Sequence, residues 1–472
     1  MFTQYALAGA ATAAYALLCR YCLRRRIVSP VADGIAVSST PAPALSADRS
    51  QLEPLLIAYA SQSGNAEALA CRQAKNLATH HAVVLKPLNA VDNELLSRYR
   101  KALFVVSTFG EGEPPDNAIR FTRLNKVRSS GTQTLEHLSY AVLALGDRQY
   151  RQFCAFGHRL HDLLAARGAQ ALFETVCVDR MDIAGLQQWR QQLLTQALDT
   201  GEFFDPADAS DSEFHPWYVS NRQHINAGSP GNAVYHIRLL SYASRAPDWR
   251  AGDIAEVIIP VGEDGNTLRR EYSIASLPDD GSLDLVVRQL IKDDGSMGLG
   301  SGWLTQGVTL HNPVQLRIRS NPAFHPPGRS AREARRTPMI MIGNGTGIAG
   351  LRAHIRAREQ LRARQNWLMF GERTEAFDFH FSSQLMKWKS QHYLQRLDLA
   401  FSRDAGCGRY VQHRLREAAS ELEDWVRRGA VIYVCGSRIG MAEEVHQTLV
   451  DILGQQTVDD LLDHGRYRRD IY

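Results

Sequence analysis

The sequence predicts a doubly wound α/β domain, an antiparallel β-barrel and a second α/β domain, preceded by one transmembrane helix. Three observations carry this. From 53 to 200, apolar runs such as "LLIAYA", "KALFVVST" and "LSYAVLALG" alternate with amphipathic stretches, the pattern of a doubly wound parallel sheet. From 214 to 330 the runs "AVYHIRLLSY", "DIAEVIIPV", "REYSIAS", "LDLVVRQLI" and "VQLRIRS" are short and parted by turn residues, which suggests an antiparallel barrel. From 331 to 472 strand and helix alternate again, beginning with "PMIMIGNGTGIAGLRAHIRAR", an apolar strand, a glycine turn and a helix.

Composition narrows the function classes. The chain has 472 residues, room for about three domains. Its net charge is only +4 and its basic residues are dispersed apart from one early arginine cluster, so nothing points to nucleic acid. Seven cysteines, odd in number and scattered, do not make a disulfide framework, which places the catalytic part in a reducing compartment. Cys19 and Cys22 form a C-x-x-C without a second pair, and read as thiols on an apolar helix rather than metal ligands. "HRLH" at 158–161 reads as helix surface.

Residues 1–26 contain no acidic residue and no charge before Arg20, and Arg24, Arg25 and Arg26 close them. A cleavable signal peptide would carry its positive charge before the apolar run. The segment therefore reads as a membrane anchor near the lower length limit of about 17 residues for a span. The arginines put the rest of the chain on the cytoplasmic side, at a bacterial inner membrane. A peripheral amphipathic anchor or an organelle presequence are the alternatives. Residues 27–52, rich in Pro, Ser and Ala, form a flexible tether, and the acidic stretch 201–213 a linker.

In a doubly wound sheet, ligands bind at the carboxyl ends of the strands. "SQSGNAE" (61–67) joins a strand to a helix, where free N–H groups and the helix dipole hold an anion without a charged side chain. It lacks the lysine of a nucleoside triphosphate loop, so a bound monophosphate is favoured. "TFGEGEPPDNA" (108–118) and "GDRQYRQFCAFG" (146–157) set Phe109 and Tyr150 beside glycines that admit a flat ligand. Together the three loops resemble the phosphate loop and ring-flanking loops of flavodoxin-like domains in diflavin reductases, the family of cytochrome P450 reductase and the sulfite reductase flavoprotein. The resemblance implies FMN. It assigns Ser61, Gln62, Ser63, Gly64, Asn65 and Ala66 to the phosphate, and Phe109 and Tyr150 to the isoalloxazine faces. Gly110, Gly112, Asn117, Gly146 and Phe153 shape the loops, and Glu67 points away. Glu111, Glu113 and Asp116 form an acidic edge that either meets a basic patch on an acceptor or only tunes the flavin potential.

In the barrel, strand alternation along "RREYSIAS" (269–276) puts Arg270 and Tyr272 on one face, a cation beside a ring. "GLGSGWL" (298–304) offers a second anion seat. Together they resemble the FAD site of the ferredoxin-NADP reductase family. This implies Arg270, Gly298, Gly300 and Ser301 at the diphosphate, Tyr272 stacked on the flavin and Ser273 near its reactive N5. In the last domain the glycine turn of Gly343, Gly345, Thr346 and Gly347 faces the nucleotide. By the same resemblance Ser402 and Arg403 grip a 2′-phosphate, Tyr410 and Gln412 lie on the adenine side, and Arg373 reaches the cofactor. Bidentate phosphate binding suits arginine, so NADPH is preferred over NADH. Many relatives have a lysine where Gly408 stands beside Arg409, a departure from the family pattern. Cys435 in "YVCGS", and Asp470 and Tyr472 in "GRYRRDIY", also match. Ser273, Cys435 and Asp470 would be the catalytic set that orients the nicotinamide, with Tyr472 over the FAD ring. The large relatives insert a helical connecting domain where only "VGEDGNTL" stands here, so the linker alone is expected to position the FMN domain.

A nicotinamide donates two electrons, haem and iron–sulfur acceptors take one, and flavins do both. The resemblance thus implies transfer from NADPH through FAD and FMN to an external acceptor, as in an NADPH–haemoprotein reductase. The acceptor is a haemoprotein, a sulfite reductase partner or a ferric complex such as siderophore iron, and no metal site is expected in the chain itself. Two rivals differ in class: a membrane scaffold without cofactors, which would be colourless, and an FAD-only NADPH oxidoreductase whose flavodoxin-like domain serves for docking.

Overall fold

The computed structural model describes residues 54–62, 64–110, 112–126, 134–148, 151–199, 214–243, 247–262, 265–328, 330–404 and 410–472. The anchor, the tether, the linker, Ser63, Glu111, Tyr150, Gly408 and Arg409 lie outside them. Among the described residues no helix is long and apolar enough to cross a membrane.

The first sheet is parallel. Its strands are β1 (Pro54–Ala60), β2 (Ala82–Pro87), β3 (Lys101–Ser107), β4 (Ser139–Gly146), β5 (Gln170–Ala171) and β6 (Val176–Asp179), in the order β2-β1-β3-β4-β5, with β6 also paired to β4. β1, β3 and β4 are covered on both faces, which is why they read as unbroken apolar runs. Leu69 and Leu77 of α1 (Asn65–Leu77) and Leu186 and Trp189 of α4 (Ile183–Thr195) pack on one face. Phe121 of α2 (Ile119–Lys126) and Phe156 and Leu160 of α3 (Ala155–Ala166) pack on the other. The apolar stretch "ALFETVCV" (171–178) does not form one strand but is broken between β5 and β6. Leu172 and Phe173, adjacent in sequence, both pack into the α1/α4 cluster, and a strand would send them to opposite faces.

The second sheet comprises β7 (His215–His224), β8 (Val234–Ser241), β9 (Ile254–Val261), β10 (Asn266–Ser273), β11 (Leu283–Arg288) and β12 (Pro313–Arg319). Its antiparallel order is β10-β9-β12-β7-β8-β11, and the end strands β10 and β11 approach each other to close a barrel around Trp217, Ile237, Leu239, Val257 and Leu285. Only residues 262–265 separate β9 from β10, so the barrel carries no inserted domain there. The third sheet, parallel, contains β13 (Met339–Asn344), β14 (Asn366–Glu372), β15 (Arg396–Phe401), β16 (Val431–Gly436) and β17 (Tyr467–Ile471) in the order β15-β14-β13-β16-β17. Helices α5 (Ile348–Gln360) and α6 (Gln455–Asp463) belong to this layer.

Candidate active site

The turn from β1 into α1 is tied from behind. Ser61 N–H donates to Asn117 Oδ1 at 2.9 Å, and Ser61 Oγ accepts from Ala66 N–H at 3.2 Å. Gly64 caps the helix at φ 90°, a backbone position that glycine fills without strain. Gln62 bridges three segments: Oε1 accepts from Asp116 N–H at 3.0 Å, while Nε2 donates to Asp116 Oδ2 and to Arg469 O, each at 3.3 Å. Glu67 accepts from Tyr59 Oη at 3.0 Å, away from the turn. Phe109 and Glu113 exchange backbone hydrogen bonds of 2.9 and 2.8 Å, which close the second loop, and Arg159 donates to Gly112 O. A Cβ on Gly112 would lie 2.5 Å from Gln152 Oε1, and one on Gly146 would lie 2.9 Å from both N and Sγ of Cys154. Phe153 carries the Arg148 guanidinium 4.9 Å above its ring.

On the barrel, Arg270 and Tyr272 do share a face of β10, and both lie against Gly300. A Cβ there would meet Arg270 Cγ at 2.7 Å and Tyr272 Oη at 3.2 Å. Gly298 caps the short turn Leu299–Gly302, and Ser301 Oγ accepts from Leu290 N–H at 3.0 Å. The parallel register of β16 and β17 sets Cys435 opposite Asp470. Ser273 Oγ donates to Asp470 Oδ2 at 2.6 Å, and Cys435 Sγ lies 3.7 Å from the same oxygen. Burial raises the Asp470 carboxyl above the usual carboxylate range, against the opposing pull of the Ser273 and Cys435 hydrogen bonds. Burial likewise pushes the Cys435 thiol up, with the Asp470 charge adding to it. A hydroxyl, a thiol and a carboxyl thus converge, able to hold one proton and to orient a polar ring.

The glycine turn after β13 packs against the end of β16. Cβ atoms on Gly343 and Gly347 would lie 2.7 and 2.1 Å from Cys435 O, and Gly345 takes φ 56°. Tyr472 Oη donates to Thr346 Oγ1 at 3.2 Å. Ser402 N–H donates to Glu372 O at 2.9 Å and Arg403 N–H to Arg373 O at 2.7 Å, so both stand at the paired ends of β14 and β15. The Arg373 guanidinium covers Gly231 of the barrel, where a Cβ would sit 1.7 Å from Nη1. Tyr410 is 54% exposed, whereas Gln412 is 8% exposed and its Oε1 makes no hydrogen bond within the described structure.

One cavity of about 730 Å³ gathers the two halves. Gln62, Asn65, Phe109, Gly110 and Gly146 line it from the first domain, and Arg270, Tyr272, Ser273, Asp470 and Tyr472 from the rest. Ser61, Gly64, Ala66, Gly112, Asn117 and Phe153 do not line it, nor do Gly298, Gly300, Ser301 and Cys435, nor the expected nucleotide residues from Gly343 to Gln412.

The contacts between the two halves are what sequence reasoning missed. Arg469 pairs with Asp116, their side chains 13% and 17% exposed. Arg120 meets Asp463 at 3.0 Å and Arg123 meets Asp459 at 2.6 Å, which fastens α2 to α6. Phe109 packs against the apolar cluster of the third sheet that contains Met441 and Val458. The expectation that the linker alone positions the first domain is therefore corrected, and so is the place of Asp116 on a solvent-facing acidic edge. A second missed group is Glu372, buried and paired with Arg288, with His380 Nε2 at 3.4 Å. Against burial, which raises it, His380 and Arg288 pull the Glu372 carboxyl down.

Comparison with known proteins agrees with this architecture. Residues 57–190 match the flavodoxin family model and residues 341–447 that of the oxidoreductase NAD-binding domain. The chain is 28% identical to the sulfite reductase [NADPH] flavoprotein alpha-component of Vibrio cholerae over 544 aligned positions, covering 89% of this chain and 87% of that protein. The corresponding proteins of Bacillus subtilis and Yersinia enterocolitica are 25% and 27% identical, over 93% and 88% of this chain and 91% and 89% of theirs. An alignment of 544 positions against 472 residues means that the Vibrio protein carries segments without counterpart here. The chain thus joins a flavodoxin domain to an oxidoreductase NAD-binding domain and is similar to these flavoproteins along most of its length.

Proposed function

We propose that the chain is an NADPH-dependent diflavin oxidoreductase that delivers electrons from NADPH, through FAD and FMN, to an external one-electron acceptor, a haemoprotein or a sulfite reductase partner. The observation that carries this reading is the single cavity walled by Phe109 and Gly146 on one side and by Tyr272, Ser273 and Asp470 on the other. Relatives named as sulfite reductase flavoproteins support the choice of acceptor. The same reading divides the chain into an FMN domain (53–200), a linker (201–213), an FAD barrel (214–330) and an NADP domain (331–472).

The residues present fit the three groups. The turn before α1, with Gly64 in the left-handed region and Ser61 bonded behind it, suits a phosphate dianion held by backbone N–H groups. Gly300 lets Arg270 and Tyr272 pack side by side against its backbone, a cation beside a ring that suits a diphosphate and a flavin. Ser402 and Arg403, with Arg373 on the neighbouring strand end, suit a 2′-phosphate. When bound, the nicotinamide supplies a hydride and the flavins convert that two-electron donation into single-electron steps. Asp470 Oδ2 holds the Ser273 hydroxyl and faces the Cys435 thiol, which fixes a polar edge against which the reacting ring is oriented. Tyr472, held by Thr346, lines the cavity beside them.

The test is to release the flavins from the purified chain, quantify FMN and FAD separately, and follow the bleaching of bound flavin by NADPH. Near-equal amounts with rapid bleaching are expected, and FAD without FMN overturns the relay. We also infer that residues 1–26 hold the chain at a membrane, on the support of their uncharged run closed by three arginines. Deleting them should move the protein from the membrane fraction to the supernatant, and an unchanged distribution overturns the anchor.

A further inference from the structure

Two of the cysteines of the first domain, neither used by the electron relay, lie close together. Cys154 stands immediately before α3 at φ 53°, is buried, and donates from Sγ to Ala144 O at 3.3 Å. Ala144 is the residue opposite Cys177 in the ladder of β4 and β6. Cys177 Sγ in turn lies 3.4 Å from Nε2 of His158, which sits one helical turn beyond Cys154 on α3. The Cys154 and Cys177 thiols are near enough for each to perturb the other's hold on its proton. Two thiols and an imidazole therefore meet under the start of α3, and Cys154 also lines the cavity.

The two thiols differ in kind. Cys177 is half-buried, whereas Cys154 is buried. Interaction with the neighbouring Cys154 thiol, opposed by burial and helped by His158 and Arg148, pulls the Cys177 thiol down to about 6. The same interaction, and then burial, push the Cys154 thiol up. Cys71, exposed on α1, is pushed up by burial and by Glu67, so it offers an internal comparison.

We propose that Cys177 and Cys154 are a peroxide-responsive pair that closes to a disulfide and so shifts the start of α3 at the rim of the cavity. The Cys177 thiolate attacks one oxygen of a hydroperoxide, the O–O bond breaks, and the sulfenic acid forms as hydroxide leaves and takes a proton, with His158 beside it as donor. Cys154 sulfur then attacks Cys177 sulfur, the S–O bond breaks, and water leaves with the Cys154 proton. Two thiols lose two electrons in total, and hydrogen peroxide ends as two waters. Cys154 is wedged against the end of β4, where even a Cβ on Gly146 would touch it at 2.9 Å. Drawing its sulfur from Ala144 O to Cys177 therefore displaces the start of α3 against Gly146.

The experiment treats the full chain with hydrogen peroxide near neutral pH and maps its thiols by mass spectrometry of non-reduced peptides. The expected result is a cross-link joining the Cys154 and Cys177 peptides, with Cys177 reacting roughly tenfold faster than Cys71. C177A should abolish the cross-link and leave acceptor reduction by untreated protein unchanged, while C154A should let Cys177 run on to sulfinic acid. Earlier reaction at Cys71, or oxidised Cys177 that never joins Cys154, overturns the pair. The effect on the cavity rests on the relay proposed above: cross-linked protein should reduce acceptor several-fold more slowly, recover with dithiothreitol, and bleach with NADPH at the untreated rate. A cross-link without that slowing overturns the shift at the start of α3. Absence of acceptor reduction before treatment would count against the relay alone, since the peptide map reads the pair independently.

Discussion

On the side of the first domain the cavity wall is a set of loops that hold one another, whereas on the side of the barrel and third sheet it is a set of side chains fixed by strand register. Asn117 secures Ser61, Gln62 secures Asp116, and Phe109 closes on Glu113. Opposite them, Arg270 and Tyr272 share a face because they are two apart on β10, and Cys435 meets Asp470 because β16 and β17 pair in that register. The difference predicts how each wall fails. A cross-tied loop loses its shape when one tie is cut, while a register-locked side chain takes only its own chemistry with it.

The largest effect is expected on the locked wall. D470A should slow NADPH bleaching of bound flavin roughly 10²- to 10³-fold while FMN and FAD contents stay unchanged, as read by stopped-flow and flavin release. Loss of flavin in parallel would break the distinction. Next is a pH effect in the core behind that wall. His354 on α5 is fully buried between Phe324 and Tyr433, with ring centroids at 5.2 and 4.7 Å, and burial pulls it down to about 3. The unfolded chain takes up this proton below about pH 6.5, and the folded chain refuses it until about 3. Stability present above about pH 6.5 is therefore lost as pH falls through that window, by roughly 1.4 kcal/mol per unit from this residue. Denaturant melts at stepped pH should record the slope, and H354L should flatten it.

On the cross-tied wall, N117A orphans the Ser61 N–H, at a cost of about 1–3 kcal/mol. FMN should be lost on dilution about tenfold more readily, with FAD retained, and equal loss of both flavins would blur the two walls into one. The smallest effects are expected where the walls meet. D116N leaves Arg469 unpaired and should slow acceptor reduction a few-fold without changing NADPH bleaching. R123Q, at a more exposed pair, should change either rate by less than about 1 kcal/mol equivalent.

How much of this could be read in the sequence follows from what each feature depends on. The doubly buried strands β1, β3 and β4 announce themselves as apolar runs, and the shared face of Arg270 and Tyr272 follows from alternation alone. Strand β7 does not announce itself, because only Trp217 and Val219 of its ten residues are buried. The tie between Asp116 and Arg469 depends on two loops brought together by the whole fold, and no local pattern marks it. Glycines gave half of their meaning: Gly343 and Gly347 stand in a recognisable turn, but only the structure shows that the Cys435 carbonyl takes the space their side chains would need. Tyr410 and Gln412, expected as a pair, part because one caps the helix Val411–Glu417 at the surface and the other turns inward.

Strand β17 sends consecutive residues to opposite duties: Arg469 to a loop of the first domain and Asp470 to Ser273. Because side chains alternate, sliding this strand by one position would present a guanidinium to the Ser273 hydroxyl and the Cys435 thiol and would turn the acid toward Asp116. The short stretch from His464 to Arg466, between α6 and β17, is therefore a place where chain length is fixed as firmly as any side chain. A single inserted or deleted residue there must be matched by a second that restores the count.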